Sequence, residues 1–308
     1  MPARPLVLGT RGSRLALVQT EEVLRLLRHH HPDREFQVKV ISTRGDADRV
    51  TPLPVLGRGV FSSEIERELL DRRIDLAVHS LKDLPGTLPQ GLTLAAFPER
   101  ADARDVLVSR SGAALAKLPS GAVVGTSSPR RAALVREARP DLRTESVRGN
   151  VDTRVRKVLA GQYDAVVLAA AGLVRLNDTE VITEYLDPER FIPAVGQGTM
   201  AVEARDDDAE TIDLVRAVDH ASTRATSEAE RSFLRHVGGG CKVPVAAYAT
   251  VNGGTLRLRG LVASPDGKRV YRRTLEAPQE QAEAAGRRLV EVLEKAGAKD
   301  LLARESGG

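Results

Sequence analysis

Two stretches of the chain repeat one order: a short apolar run, a turn of small residues, and a helix start. The first is PLVLGTRGS (5–13) and the second AVVGTSSP (122–129). An apolar run of that length reads as a buried strand, and the periodic residues after each turn read as a helix. Ala16, Val23, Leu26 and Leu27 share one face after the first turn, and Ser13 stands where an N-cap belongs. Pro129 fits the first position of the second helix. A strand feeding a helix through such a turn is the building block of an α/β domain. It also leaves free N–H groups and the positive end of the helix dipole facing the turn, which favours an anion. An ordinary turn with a solvated arginine is the plain alternative.

Further strands fall at Phe36–Ile41, Ile74–Val78, Leu92–Phe97, Val106–Ser109, Thr144–Val147, Asp164–Ala171 and Met200–Ala204. Ser63 and Glu66 read as a capping box for a helix that turns Ile65, Leu69 and Leu70 inward. PERADAR (98–104) reads as a hinge, and PAVGQGT (193–199) as a passage back to the first unit. Two similar lobes with a ligand cleft between them would result. Beyond Asp219 the pattern changes. A helix capped by Ser222 precedes three alternating runs, with Asn252-Gly253 and Asp266-Gly267 as turns, and a final helix over about 279–296. The expected division is 1–98 with 199–217 as lobe 1, 104–192 as lobe 2, and 220–308 as a C-terminal α+β domain with a three-stranded antiparallel sheet.

The single cysteine, Cys241, lies in GGGCKVP (238–244). Three glycines before it and Pro244 after it place it on a loop with little cover. It is either an incidental loop thiol or one used for covalent chemistry, as nucleophile or anchor. One cysteine excludes an internal disulfide framework and a multi-cysteine metal site, and no other metal-ligand spacing occurs. No apolar run is long enough to span a bilayer and no secretory h-region opens the chain, so a cytoplasmic setting is expected. The net charge is only +4, aromatics make up 3% and tryptophan is absent, which argues against a nucleic-acid binder.

The candidate site residues gather at strand ends. His79, Ser80, Lys82 and Asp83 crowd the end of one strand, where α/β sheets bind ligands. An acid and a base side by side suit proton transfer, and a surface ion pair is the alternative. Arg130, Arg131, Arg148, Arg154 and Arg175 stand at strand ends or helix starts of the second lobe. Cations at a helix start oppose its dipole, so a structural role for Arg130 and Arg131 is disfavoured unless an anion arrives. Guanidinium groups suit bidentate carboxylate recognition, and the expected ligand is small and multiply anionic.

The motifs GTRGSRLAL (9–17), LAVHSLKDLP (76–85), GTSSPRR (125–131), VRGNVDTR (147–154), LAAAGLVRL (168–176), PAVGQG (193–198) and GGGCKVP resemble those of the porphobilinogen deaminase family, in the family's order. The resemblance implies two lobes like periplasmic binding proteins, with mixed sheets, and a third domain. It implies a dipyrromethane cofactor joined by a thioether to Cys241. Four porphobilinogens then add in turn, each losing ammonia, and hydrolysis releases the linear tetrapyrrole. Asp83 matches the catalytic aspartate. Cofactor contacts match Ser13, Ser80, Lys82, Asp83, Thr126, Ser128, Arg130, Arg131, Arg154 and Gly172. Substrate contacts match Arg11, Gln19, Arg148, Asn150, Arg154, Arg175 and Gln197. The implied partners are porphobilinogen and the growing polypyrrole chain, with no nucleic acid, membrane or metal, and the chain is expected to be a monomer. One departure stands out: the family's mobile loop carries lysines before Gly-Leu-Phe, whereas TPLPVLGRGVF (51–61) is shortened and has only Arg58. A binder of small anions built on the same lobes would leave the Cys241 loop and Asp83 without a purpose.

Overall fold

A computed structural model describes residues 4–47, 62–238 and 243–303. The chain divides into two compact units, residues 1–101 with 198–224, and residues 102–197 with 225–308.

The first unit is built on a five-stranded sheet. Its strands are β1 (Leu6–Arg11), β2 (Phe36–Ile41), β3 (Leu76–Ser80), β4 (Leu92–Ala96) and, from later in the chain, β10 (Met200–Arg205), in the order β2-β1-β3-β10-β4. β1 runs parallel to β2 and β3, while β10 runs antiparallel to β3 and β4. Helix α1 (Arg14–His30) covers one face, where Val23, Leu24 and Leu27 meet Leu8, Leu76, Val78 and Val202. Helix α2 (Ser63–Leu70) covers the other, with Ile65 and Leu69 against Ile41, Ile74 and Ala77. Alternate residues of β3 therefore serve opposite layers, as the pleat requires.

The second unit repeats the plan. Strands β5 (Asp105–Ser109), β6 (Val123–Gly125), β7 (Arg143–Glu145), β8 (Ala165–Ala169) and β9 (Glu184–Tyr185) are ordered β7-β6-β8-β5-β9. β6 is parallel to β7 and β8, and β5 is antiparallel to β8 and β9. In each unit the strand that runs against its neighbours is the one next to a crossing between units. Met200–Ala204 thus returns the chain to the first sheet, as its sequence suggested.

Helices α3 (Pro129–Ala138), α4 (Val151–Leu159) and α5 (Ala170–Leu176) follow β6, β7 and β8. The strand expected over Asp164–Ala171 stops at Ala169, and Ala170, Ala171 and Gly172 lie inside α5. Three alanines are as compatible with a helix as with a buried strand, and alanine is the strongest helix former.

The same unit carries α6 (Ala221–His236) beyond Arg224, the antiparallel strands β11 (Val245–Asn252), β12 (Thr255–Ala263) and β13 (Val270–Pro278), and α7 (Ala282–Leu293). Phe233, Leu258 and Leu289 lie in their shared core. Gly286 lets α7 approach α6, because a Cβ there would stand 2.4 Å from the Ala229 carbonyl oxygen. The start of α6 differs from the expected Ser222 cap: the Thr223 N–H donates to His220 Nδ1 at 3.3 Å, so the imidazole does the capping.

Candidate functional site

In the first unit, β1 and β3 end side by side, and helices α1 and α2 begin there. A pocket at this point is lined by Arg11, Ser13, Gln19, His79, Ser80 and Asp83 among others. Ser13 caps α1 as expected, accepting from the Ala16 N–H at 3.3 Å. Gln19, one turn further along α1, is buried and donates through Nε2 to Ser80 Oγ at 2.9 Å. Asp83 sits in the 3₁₀ turn Leu81–Asp83. The turn is fixed from below: Leu81 and Leu84 pack with Phe97 and Ala201, and the Leu81 N–H donates to the Thr199 carbonyl at 3.0 Å. Buried leucines on both sides of Asp83 hold its backbone while its carboxylate stays 37% exposed, 3.8 Å from Arg11 Nη1. Lys82, beside it, is also exposed.

Behind this pocket is a buried group that the sequence reading did not connect. His79 Nε2 lies 3.0 Å from Glu203 Oε2, both residues buried. Glu66 is buried on α2. The capping box expected from Ser63 and Glu66 does not form. Ser62 is the N-cap residue and makes no side-chain cap bond, while Ser63 Oγ donates to Glu64. Glu66 turns inward instead, where burial raises its carboxyl above the usual range, helped by the charge of Glu203 and opposed by Ser62 and His79.

The second unit gathers Arg130, Arg131 and Gln197 around Asp105. Arg130 Nη1 donates to Asp105 Oδ2 at 2.7 Å, and Arg131 Nη2 and Gln197 Nε2 each donate to Oδ1 at 2.8 Å. Arg130 also reaches the Ile192 carbonyl and Arg131 the Val167 carbonyl. The anion that balances two arginines at a helix start is thus internal: Asp105 meets the condition under which a structural role was expected. Burial alone would raise the Asp105 carboxyl, but Arg130 and then Arg131 outweigh it and hold it well below the usual carboxylate range. Burial in turn lowers the Arg131 guanidinium against the pull of Asp105.

At the start of α3, Ser128 caps by accepting from the Arg131 N–H at 3.4 Å, and Thr126 Oγ1 accepts from the Ser128 N–H at 3.2 Å. The turn before α4 holds Arg148, Gly149 and the N-cap residue Asn150. Gly149 has φ +115°, and a Cβ there would lie 2.9 Å from Thr153 Cβ, so only glycine fits. Arg154 Nε donates to the Gly149 carbonyl at 2.8 Å, which keeps its guanidinium at this turn. Arg175 lies in the last turn of α5 rather than at a strand end or helix start. Cys241 and the loop 51–61 with Arg58 lie outside the described residues.

A family profile described as the dipyrromethane cofactor binding domain of porphobilinogen deaminase matches residues 6–213, and one described as its C-terminal domain matches 225–295. The chain belongs to the porphobilinogen deaminase family. The porphobilinogen deaminase of Roseiflexus castenholzii is 50% identical over 299 residues, which cover 97% of this chain and 98% of that one. Those of Brevibacillus brevis and Bacillus subtilis are 48% and 44% identical, each covering 96% or more of both chains. Among solved structures, the VFT2 domain of Bordetella pertussis BvgS is similar over 74% of this chain and 91% of its own, at 14% identity and a TM-score of 0.43. The alkanesulfonate-binding protein SsuA of Xanthomonas axonopodis is similar over 74% of each chain, at 16% identity and a TM-score of 0.40.

The residues present fit the family's dipyrromethane. The first-unit pocket joins a cation, hydroxyls and a carboxylate to the aliphatic walls of Leu15, Val78 and Leu84. Apolar walls suit a pyrrole ring, and cationic and hydroxyl donors at a helix start suit its carboxylate arms.

Proposed function

We propose that this chain condenses four porphobilinogens head to tail, each with loss of ammonia, on a dipyrromethane held through Cys241, and releases hydroxymethylbilane by hydrolysis. Family membership over nearly the whole chain carries this reading. When bound, the dipyrromethane supplies the pyrrole carbon to which the first porphobilinogen adds.

Asp83 is the catalytic carboxylate. Porphobilinogen becomes a cation as its amine departs, and an ionised carboxylate pinned beside that charge stabilises it without having to reorganise. The same oxygens can take the proton lost from the coupled ring carbon. Arg11 stands close enough to orient Asp83 or to hold a substrate carboxylate. Ser13, Ser80 and Lys82 hold the cofactor in the first unit, and Gln19 fixes the Ser80 hydroxyl. In the second unit Thr126, Ser128, Arg130, Arg131, Arg154 and Gly172 hold it, while Arg11, Gln19, Arg148, Asn150, Arg154, Arg175 and Gln197 serve the substrate. Arg130 and Arg131 act from a frame built on Asp105, which limits how far they can move toward a ligand.

The functional domains are 1–98 with 199–217, 104–192 and 220–308, and the enzyme works as a cytoplasmic monomer without nucleic acid or membrane. No helix among the described residues is long and apolar enough to cross a membrane. The test is intact-mass analysis of the purified active enzyme. An excess mass equal to dipyrromethane on the Cys241 peptide, with a positive Ehrlich reaction, is expected. An unmodified active enzyme would overturn the anchoring role, and a Cys241→Ser protein that still makes hydroxymethylbilane would do the same.

A further inference from the structure

Helix α6 carries an acid into the interior of the second unit. Glu230 is fully buried, and each of its oxygens accepts a backbone N–H. Oε1 takes the Ala249 N–H of β11 at 2.8 Å, and Oε2 takes the Gly196 N–H at 2.7 Å. The residues beside it fix the helix. Ala229 and Phe233 lie in the core, and Ser232 Oγ donates to the Glu283 carbonyl of α7 at 2.7 Å. Glu230 therefore acts from a firm support. The segment it holds needs that support. Gly196 has φ +71°, and the turn around it is closed by the Gln197 N–H donating to the Ala194 carbonyl at 3.0 Å. Glycine populates the left-handed region about as readily as the right-handed one, so the turn does not fix itself. An acceptor on the glycine N–H selects one conformation, because leaving it would strand a buried donor.

We propose that Glu230 is a positioning residue for Gln197: it sets the Gly196 turn and thereby fixes the amide that completes the Arg131–Asp105 frame. The proposal rests on reading Gln197 as a substrate contact. The bonds of that amide carry it. Gln197 Nε2 donates to the Ala103 carbonyl at 2.7 Å and to Asp105 Oδ1 at 2.8 Å. Its Oε1 accepts from Arg131 Nη2 at 3.2 Å. Three bonds from one side-chain amide tolerate little movement of the backbone beneath it. A shift of Gly196 would carry Gln197 away from the aspartate and the arginine together. A carboxyl suits this task. It offers two acceptor oxygens to two N–H groups, whereas an amide offers one and turns a donor on the second. α6 is also the helix from which the chain runs on toward Cys241. The element that precedes the cofactor anchor thus sets the substrate contact as well.

The test uses the cofactor-loaded full chain with Glu230→Gln, Glu230→Asp, Gln197→Ala and the double variant of Glu230→Gln with Gln197→Ala. Two readouts are followed: kcat and KM for porphobilinogen, and amide hydrogen exchange at Gly196 by NMR. Glu230→Gln should raise KM about tenfold, the order expected when a buried N–H loses its acceptor, and change kcat by less than about twofold. Exchange at Gly196 should quicken in the same variant. Glu230→Asp keeps two acceptor oxygens on a shorter arm, so its KM should fall between wild type and Glu230→Gln. In the Gln197→Ala background, Glu230→Gln should raise KM by less than about twofold, because residues acting through one contact are not additive. If Glu230→Gln does not fold, Glu230→Asp takes its place in both backgrounds, with a smaller step expected. An acid with only a structural role would lower stability and leave KM in place, so normal KM in the folded variants overturns the proposal. An equal rise in KM with and without Gln197 overturns it too. Gln197→Ala separates the two readings. Normal KM in that variant would remove Gln197 from substrate binding and take the proposal with it. Raised KM there, beside normal KM in Glu230→Gln, would overturn the positioning role alone.

Discussion

Both units place a carboxylate beside arginine at the end of a sheet of the same strand order, and they use it in opposite ways. Asp83 in the first unit is part exposed, with Arg11 at 3.8 Å. Asp105 in the second is fully buried and bound by two guanidinium groups and an amide. The first arrangement leaves lone pairs of the acid facing the pocket, and the second consumes them. A loose pair at such exposure adds only about 0–1 kcal/mol to stability. A buried one is a structural commitment, because removing either partner strands a charge in the interior. The same architecture thus supplies one end suited to chemistry and one suited to rigid ligand holding.

The largest effect should come from Asp83→Asn. Loss of the charge at nearly constant shape should lower the rate of ammonia release by about 10²–10⁴-fold, the usual contribution of a positioned proton-transfer group. Urea unfolding should shift by no more than about 0.5 kcal/mol, as for an exposed site. Asp83→Glu should keep a little activity. An Asn variant that turns over normally, or that unfolds early, would erase the contrast between the two carboxylates.

Asp105→Asn should do the reverse. It leaves Arg130 and Arg131 buried without a counter-charge, and a loss of about 3–5 kcal/mol in unfolding free energy is expected. The pH dependence follows from the same pair. Asp105 is held below its unfolded value, so its contribution is complete above that value, near pH ~4, and fades as pH falls toward the folded one. The urea midpoint of the wild type should therefore drop on acidification below about pH 4, and Asp105→Asn should lose part of that slope. A variant as stable as wild type at pH 7 would show that the cluster is not holding the second unit together.

Two arginines of the second unit sharpen the comparison. Arg154 is part exposed and bonded to a backbone carbonyl, whereas Arg131 is buried on Asp105. Arg154→Leu should cost about 1.5–3 kcal/mol in ligand holding, as for a bond to a charged group, with little change in stability. Arg131→Leu should lower both. Limiting-substrate turnover and urea unfolding of the two variants decide this, and equal stability losses would contradict the division.

The local grammar of the fold was readable: the repeated strand–turn–helix units, the Ser13 cap, the return strand at Met200 and the antiparallel C-terminal sheet. The local composition carried these, because neighbouring residues determine caps, turns and periodicity. What stayed hidden depended on contacts between distant positions. Asp105 borders a predicted strand as an unremarked acid, and nothing near it announces partners 25 and 92 residues away. Glu66 satisfied a capping pattern, yet the inward face of α2 prevailed. His79 stood in view beside Asp83, but its partner Glu203 comes from a strand inserted 124 residues later. Two charges in the second unit explain each other only once the sheet order is known.

The smallest expected effect concerns the helix starts that both sites share. Ser13 and Ser128 each cap a helix by accepting one N–H, from Ala16 at 3.3 Å and Arg131 at 3.4 Å. Removing such a cap typically costs ~1 kcal/mol. The two substitutions should nevertheless differ. Ser13→Ala frees an N–H at the partly exposed start of α1, where water can replace the lost acceptor, so its cost should fall toward the low end, about 0.5 kcal/mol. Ser128→Ala releases the N–H of Arg131, whose side chain is fixed on Asp105, so α3 cannot fray without disturbing the buried cluster. Its cost should lie nearer 2 kcal/mol, the upper end for a cap. A double-mutant cycle of Ser128→Ala with Arg131→Leu, read by urea unfolding, measures that coupling. A coupling energy below about 0.3–0.5 kcal/mol would mean the two sites add independently. The cap of the second unit would then be no more tied to its interior than the cap of the first.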